Sequence, residues 1–157
     1  MRVVVIIPAY NEERTVGNVA RAALACPLVH EVVVVSDGSS DNTVLSAREA
    51  GARVVELPEN RGKGGAMKAG LEGIVSDAVL FLDADLLGLT AAHVEAILRP
   101  VVSEQVEVSV GVFGNGRLST DLAQKIAPYL SGQRAISSRL AGRRSAISIR
   151  VRSVKIT

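Results

Sequence analysis

Asp77-Ala78-Val79-Leu80-Phe81-Leu82-Asp83-Ala84-Asp85 decides how the rest of the chain is read. The apolar run from Ala78 to Leu82 has the length of a strand buried on both faces, which reads as continuous hydrophobic sequence where helices cover a parallel sheet. The first charges after it, Asp83 and Asp85, then fall at the strand's carboxyl end, where an open α/β sheet forms its binding crevice. Side-chain direction repeats every two residues in an extended chain, so the two carboxylates share a side. Two acids so placed repel one another unless a cation lies between them. Their spacing lets both reach one divalent ion whose remaining positions go to water and substrate phosphate. A turn of solvated acids is the simpler alternative, and the choice rests on the segments that join this one.

Upstream, Val3 to Ile7 is a second apolar strand, expected to stop at Pro8, which has no N–H to give to a ladder. Asn11 is placed to cap a helix beginning at Glu12, with Glu12 and Glu13 at its positive end. Val16, Val19, Ala20, Ala23 and Leu24 give that helix one apolar face. Val32 to Val35 is a further strand, ending in Ser36-Asp37-Gly38-Ser39-Ser40-Asp41, and the next helix runs to Ala50 and closes at Gly51. Arg53 to Leu57 is a shorter strand. Pro58-Glu59-Asn60 leads from it into a basic glycine-rich loop, Arg61-Gly62-Lys63-Gly64-Gly65, and a helix from Ala66 to Ile74. Beyond the acids, Thr90 caps a helix that holds Val94, Ile97 and Leu98 and is expected to end at Pro100.

This repetition implies an α/β fold, a doubly wound, mainly parallel sheet with flanking helices. Right-handed crossovers put the strand ends that carry Pro8, Asp37 and Asp83 on one rim. Downstream, Val106 to Phe113 reads as a strand, Gly114-Asn115-Gly116 as a turn, Leu118 to Ala127 as a helix and Pro128 to Arg134 as a polar loop. Ile147, Ile149 and Val151 alternate with Ser148, Arg150 and Arg152 like an edge strand with one wet face. The expected organisation is one domain over residues 1–135 and a basic tail over 136–157 that includes this edge strand.

Composition narrows the class. With 157 residues, 48% hydrophobic and 22% charged, the chain fits a single globular domain rather than a disordered one. Aromatics make up only 3% and Trp is absent, so the core must be Val, Leu, Ile and Ala. Eighteen basic side chains against 16 acidic ones leave a net charge of +2, and no basic run is interleaved with aromatics. Nucleic acid is therefore not an expected partner. Cys26 is the sole cysteine; it forms no internal disulfide and reads as a small buried hydrophobe. No apolar stretch reaches the roughly 18 residues of a membrane span, and Val3 to Ile7 is too short for a signal peptide. The expected location is cytoplasmic, with peripheral contact at the inner face of the membrane left open. His93 reads as a capping or half-buried histidine and His30 as exposed.

Two more segments on the rim suggest a nucleotide. Asp37, with Gly38 beside it, can accept from a nucleobase N–H or a ribose hydroxyl; capping the next helix is its alternative role. Gly62, Gly64 and Gly65 offer bare amides to an anion and Lys63 adds a point charge, where otherwise they form a flexible turn. The loop is not a Walker A sequence, and the first strand does not lead into Gly-x-Gly-x-x-Gly, so a dinucleotide is disfavoured.

Val5-Ile6-Ile7-Pro8-Ala9-Tyr10-Asn11-Glu12, Ser36-Asp37-Gly38-Ser39-Ser40-Asp41-Asn42-Thr43, Asn60-Arg61-Gly62-Lys63-Gly64 and Asp83-Ala84-Asp85, in that order, resemble family 2 glycosyltransferases of the GT-A fold. The resemblance implies a nucleotide pocket lined by Pro8, Tyr10 and Glu12, base recognition by Asp37, and Lys63 near nucleotide or phosphate. It assigns Asp83 to ribose or metal, Asp85 to the metal-bound diphosphate, and both to catalysis, with Mg2+ or Mn2+ as cofactor and a UDP- or GDP-sugar as donor. The stretch from Gly116-Arg117-Leu118 through Ser131-Gly132-Gln133-Arg134-Ala135 is similar to relatives of glucosyl-3-phosphoglycerate synthase and dolichol-phosphate-mannose synthase. This second likeness implies a phosphate-bearing or polyprenyl-phosphate acceptor met by Gln133 and Arg134, the arginine pairing bidentately with phosphate.

Inverting members of the family are expected to use a downstream carboxylate as base. Glu104, Glu107 and Asp121 are the candidates here, none of them in a Glu-Asp or Asp-Asp motif. After Ala135 the likeness fades, which leaves two other readings. One is a nucleotide-binding or subunit-interaction module with impaired transfer, forming a homo-oligomer through an exposed sheet edge. The other is a sugar-phosphate nucleotidyltransferase, which would want a glycine-rich basic loop where this chain has Pro8-Ala9-Tyr10-Asn11.

Overall fold

The structure, a computed structural model, describes residues 1–113, 133–138 and 151–156. The elements follow in the order β1 (Val3–Ala9), α1 (Val16–Leu24), β2 (Glu31–Asp37), α2 (Thr43–Glu49), β3 (Arg53–Leu57), α3 (Gly62–Leu71), β4 (Ala78–Phe81), α4 (Ala91–Val102), β5 (Val108–Phe113), β6 (Arg134–Ser137) and β7 (Val151–Ile156). The described strands form one sheet in the order β3-β2-β1-β4-β6-β5-β7. β1 pairs in parallel with β2 and β4, β2 with β3, and β5 with β7, while β6 runs antiparallel between β4 and β5. The fold is thus the mainly parallel α/β sheet that the sequence implies.

Alternation within each valine run explains why those runs are continuous. Val3, Val5 and Ile7 of β1 and Val32 and Val34 of β2 enter one core, with Val16 and Ala20 of α1, Ala47 of α2, and Val94 and Ile97 of α4. Val4, Ile6, Val33 and Val35 enter a second core on the other face, with Ala66 of α3 and Phe81. A strand covered on both faces has no position to spare for a polar side chain. α3 reaches the sheet through small residues, Ala66 and Gly70. A Cβ on Gly70 would lie 2.7 Å from Ile6 Cγ2 and 2.9 Å from Val35 Cγ2, so the bare glycine is what lets this helix lie so close.

Four local expectations are corrected. β1 does not stop at Pro8 but continues to Ala9. The Leu82 N–H donates to the Ile6 carbonyl, so Ile6 turns its backbone groups toward β4, and Pro8 two residues later turns the same way. β4 has ended there at Phe81, and the missing N–H breaks no bond. Asn11 does not cap a helix, since α1 begins at Val16 and Asn11 has φ 53°. Its Oδ1 instead accepts from the Ser40 N–H at 2.8 Å and its own N–H donates to Ser39 Oγ at 3.1 Å. Gly62, Lys63, Gly64 and Gly65 are not a loop that feeds a helix but the first turn of α3. α4 passes through Pro100 to Val102, because a proline this near the carboxyl end removes one bond of the last turn and no more.

Thr90 caps α4 as expected, and His93 completes a capping box: its N–H donates to Thr90 Oγ1 and its Nδ1 accepts from the Thr90 N–H, each at 3.3 Å. His30 is exposed, and its Nδ1 accepts the Val3 N–H. β6 crosses the division expected at residue 135, and β7 lies at the sheet edge. The helix expected over Leu118–Ala127, the loop with Tyr129, and Ile147 and Ile149 fall outside the described residues.

Candidate functional site

The sheet changes direction between β1 and β4, since β2 and β3 follow on one side of β1 and β4 lies on the other. At such a switch point the loops after neighbouring strands diverge and leave a crevice. A cavity of about 320 Å³ opens there, lined by Pro8, Tyr10, Glu12, Asp37, Lys63, Asp83 and Asp85, together with Asn60, Gly62 and Ala84. The rim thus gathers residues from the ends of β1, β2 and β4 and the start of α3. Tyr10 is half exposed at this cavity.

Much of the Ser36–Thr43 segment serves to hold the rim together. The Glu12 N–H donates to Thr43 Oγ1 at 2.8 Å, the Asn42 N–H to the Glu13 carboxylate at 2.9 Å, and the Glu13 N–H to Asp41 Oδ2 at 3.2 Å. Burial pushes the Asp41 carboxyl up, but hydrogen bonds from the Thr43 hydroxyl and the Thr43 and Glu13 amides outweigh it and hold the group below the usual carboxylate range. Asp37 is only 3% exposed, and its Oδ1 accepts the Arg61 N–H at 2.7 Å. Gly38 permits that approach: its φ is +73°, and a Cβ there would lie 2.8 Å from the Asn60 nitrogen and the Glu59 carbonyl carbon.

Asp83 is held from two sides. Lys63 Nζ forms an ion pair with Oδ1, and Gln133 Nε2 donates to Oδ2 at 2.6 Å. Gln133 is 6% exposed and precedes β6, whose antiparallel register sets Arg134 opposite Phe81. The Arg134 guanidinium carbon lies 5.7 Å from the centre of the Phe81 ring, and its buried Nε has no partner among the described residues. Neither Gln133 nor Arg134 lines the cavity, although Gln133 bonds to Asp83, which does.

Sequence reasoning missed two parts of this arrangement. The Gln133–Asp83 contact depends on a strand running against the β-α repeat, which no periodicity announced. Asn60 lines the cavity and its Oδ1 accepts the Gly62 N–H at 3.0 Å. Its position before a glycine-rich turn was the available signal, since an asparagine oxygen there commonly takes the amide two residues on. Of the carboxylates considered as base, Glu104 and Glu107 precede β5, which runs parallel to β4, so they sit at the opposite end of the sheet from the cavity. Asp121 lies outside the described residues.

The donor set suits one kind of cation. Asp85 is exposed, lines the cavity and has no hydrogen-bond partner among the described residues. Among those residues no three His, Cys, Asp or Glu side chains converge as a metal cage. An ion here would share one or two carboxylates with substrate phosphates and water, which is how Mg2+ and Mn2+ are commonly held, unlike structural Zn2+ or Ca2+.

Comparison with known proteins gives a consistent result. Residues 4–150 match Glycosyl transferase family 2. A glucosyl-3-phosphoglycerate synthase of Mycolicibacterium smegmatis is 36% identical over 108 residues, which cover 63% of this chain and 36% of that protein. A dolichyl-phosphate beta-glucosyltransferase of Drosophila melanogaster is 42% identical over 137 residues, 74% of this chain and 41% of that protein. The chain therefore spans well under half the length of these curated relatives. Glucosyl-3-phosphoglycerate synthase of Mycobacterium tuberculosis, solved with Mn2+, UDP-glucose and phosphoglyceric acid, superposes with a TM-score of 0.74 at 29% identity, covering 88% of this chain and 57% of that one.

Proposed function

Because the chain belongs to glycosyl transferase family 2, we propose that it transfers a glycosyl group from a UDP-sugar to a phosphate-bearing acceptor. The observation that carries this reading is the convergence of Asp37, Lys63, Asp83 and Asp85 on one cavity at the switch point of the sheet. The choice of UDP over GDP leans on the mycobacterial synthase solved with UDP-glucose, and the phosphate on the acceptor leans on that complex and on the dolichyl-phosphate relative.

Each residue has a part its position supports. Asp37, fixed through Oδ1 by the Arg61 amide, keeps its second oxygen for the uracil N–H. Tyr10 offers an aromatic face to the base at the same cavity. The first-turn amides of α3 and the Lys63 ammonium receive the diphosphate, an arrangement helix starts favour for anions. Lys63 pairs with Asp83 in this structure, so a diphosphate draws the ammonium partly away and leaves Asp83 to ribose or cation. Asp85, with Asp83, would hold Mg2+ or Mn2+, which when bound neutralises charge on the leaving group. As the acceptor oxygen bonds to the anomeric carbon and the bond to the diphosphate breaks, negative charge grows on the diphosphate. Once drawn from Asp83, the Lys63 ammonium offsets that charge, with the first-turn amides of α3 that Asn60 does not occupy.

Incubation with UDP-glucose, Mn2+ and either 3-phosphoglycerate or a polyprenyl phosphate tests the proposal. The expected products are UDP and a glycosylated acceptor. Release of pyrophosphate would assign nucleotidyl transfer instead, and donor binding without any turnover would assign a binding module.

A further inference from the structure

A second cavity, of about 500 Å³, opens between the start of α1 and the segment that joins β4 to α4. It adjoins the first, for Asp85 lines one and Leu86 the other. Arg14 and Arg21 line it, and neither pairs with a carboxylate among the described residues; Arg21 is steadied by Asn18 Oδ1 at 2.8 Å. Among the described residues no Asp or Glu lines this cavity, although the chain holds 16 of them. Leu86, Leu87 and Leu89 line it too; Leu86 and Leu89 are partly buried against the core, and Leu87 is 82% exposed.

A single exposed leucine is ordinary. One that borders a cavity also lined by Arg14 and Arg21, with no acid among its described lining residues, matches a ligand with an anion on an apolar body. Guanidinium pairs bidentately with phosphate oxygens, and a phosphate alone would leave Leu87 in water. We propose that this cavity receives the phosphate headgroup of an anionic membrane lipid while Leu87 enters the acyl boundary. No helix among the described residues is long and apolar enough to cross a membrane, so the contact is peripheral. It turns the rim that carries the first cavity toward the bilayer surface. None of these residues lines the first cavity, so this inference and the donor assignment stand or fall separately.

Co-sedimentation of the full chain with vesicles tests it, comparing phosphatidylcholine alone with vesicles in which about a third of the lipid is phosphatidylglycerol. The expected result is binding to the anionic vesicles at least about tenfold stronger than to the neutral ones. Arg14→Gln with Arg21→Gln should reduce it to the neutral level, and Leu87→Ser should weaken it, with thermal melting unchanged in all variants. Equal binding to both vesicle types, no binding to either, or full retention by the arginine variant would overturn the proposal. Arginine-dependent binding of soluble glycerol phosphate in calorimetry, without vesicle binding, would assign a free phosphoester and overturn it as well.

Discussion

Gln133 Nε2 donates to Asp83 Oδ2 across 2.6 Å and joins positions 50 residues apart. The bond exists because β6 runs back along β4, with Arg134 opposite Phe81, and so delivers the residue before the strand to the rim. The segment that sequence likeness assigns to the acceptor therefore also braces a carboxylate of the cavity at the switch point.

Replacing Gln133 by Ala should disturb donor binding as well as acceptor turnover. Leaving a half-buried carboxylate oxygen without its donor costs on the order of 1–3 kcal/mol, or roughly 5- to 150-fold in affinity. Calorimetry with UDP and Mn2+ measures this directly. A variant with unchanged UDP affinity and a raised acceptor KM would mean that Gln133 serves the acceptor alone.

Lys63→Gln should weaken UDP binding by about tenfold or more, since a charge-assisted bond to the diphosphate is lost. Uridine, which has no phosphate, should bind both proteins within about twofold of each other on the same argument. Titration of the two ligands separates the effect on phosphate from any collapse of the base pocket.

Gly70→Ala sets two small terms against each other. Alanine gains up to about 1 kcal/mol over glycine in a helix, but its Cβ would meet β-branched methyl groups of Ile6 and Val35 inside 3.0 Å. Overpacking a rigid core costs about 1–3 kcal/mol, so the net effect should be destabilising. At this chain length each kcal/mol lowers the melting temperature by about 2–4 °C. An unchanged or raised melting temperature would show that α3 can shift off the sheet.

The Asp41 bonds should make stability fall in acid. The folded-state pKa is depressed, so the contribution is present above the unfolded value of about 3.9 and is lost as pH falls through the lower folded value. Asp41→Asn should therefore lose stability near neutral pH, and its difference from the parent in urea melts should shrink below pH ~4. A difference that stays constant across that range would assign the effect to packing.

Local pattern carried β1 to β4, the order of the described helices and the shared rim, because a valine run such as Val32–Val35 has few other uses and each βα unit repeats one solution. Pro8 and Pro100 misled for the same reason as each other: a missing N–H matters only where a partner waits, and that depends on where β4 ends and how near a helix is to its terminus. The role of Asn11 was hidden because its partners, Ser39 and Ser40, lie on another loop. Asp37, Lys63, Asp83 and Asp85 were legible as rim residues from their places after strands and at a glycine run. The hold of Gln133 on Asp83 was not legible, since it follows from antiparallel pairing between distant segments.

The cation-dependent part of nucleotide affinity, measured by calorimetry with UDP in the presence and absence of Mn2+ for the parent and for Asp85→Ala, tests the donor assignment most directly. The parent should bind UDP at least about tenfold tighter with Mn2+. The variant should lose that increment while keeping its metal-free affinity and its melting temperature. If the parent binds UDP equally well with and without Mn2+, or the variant retains the full increment, the site does not work as described.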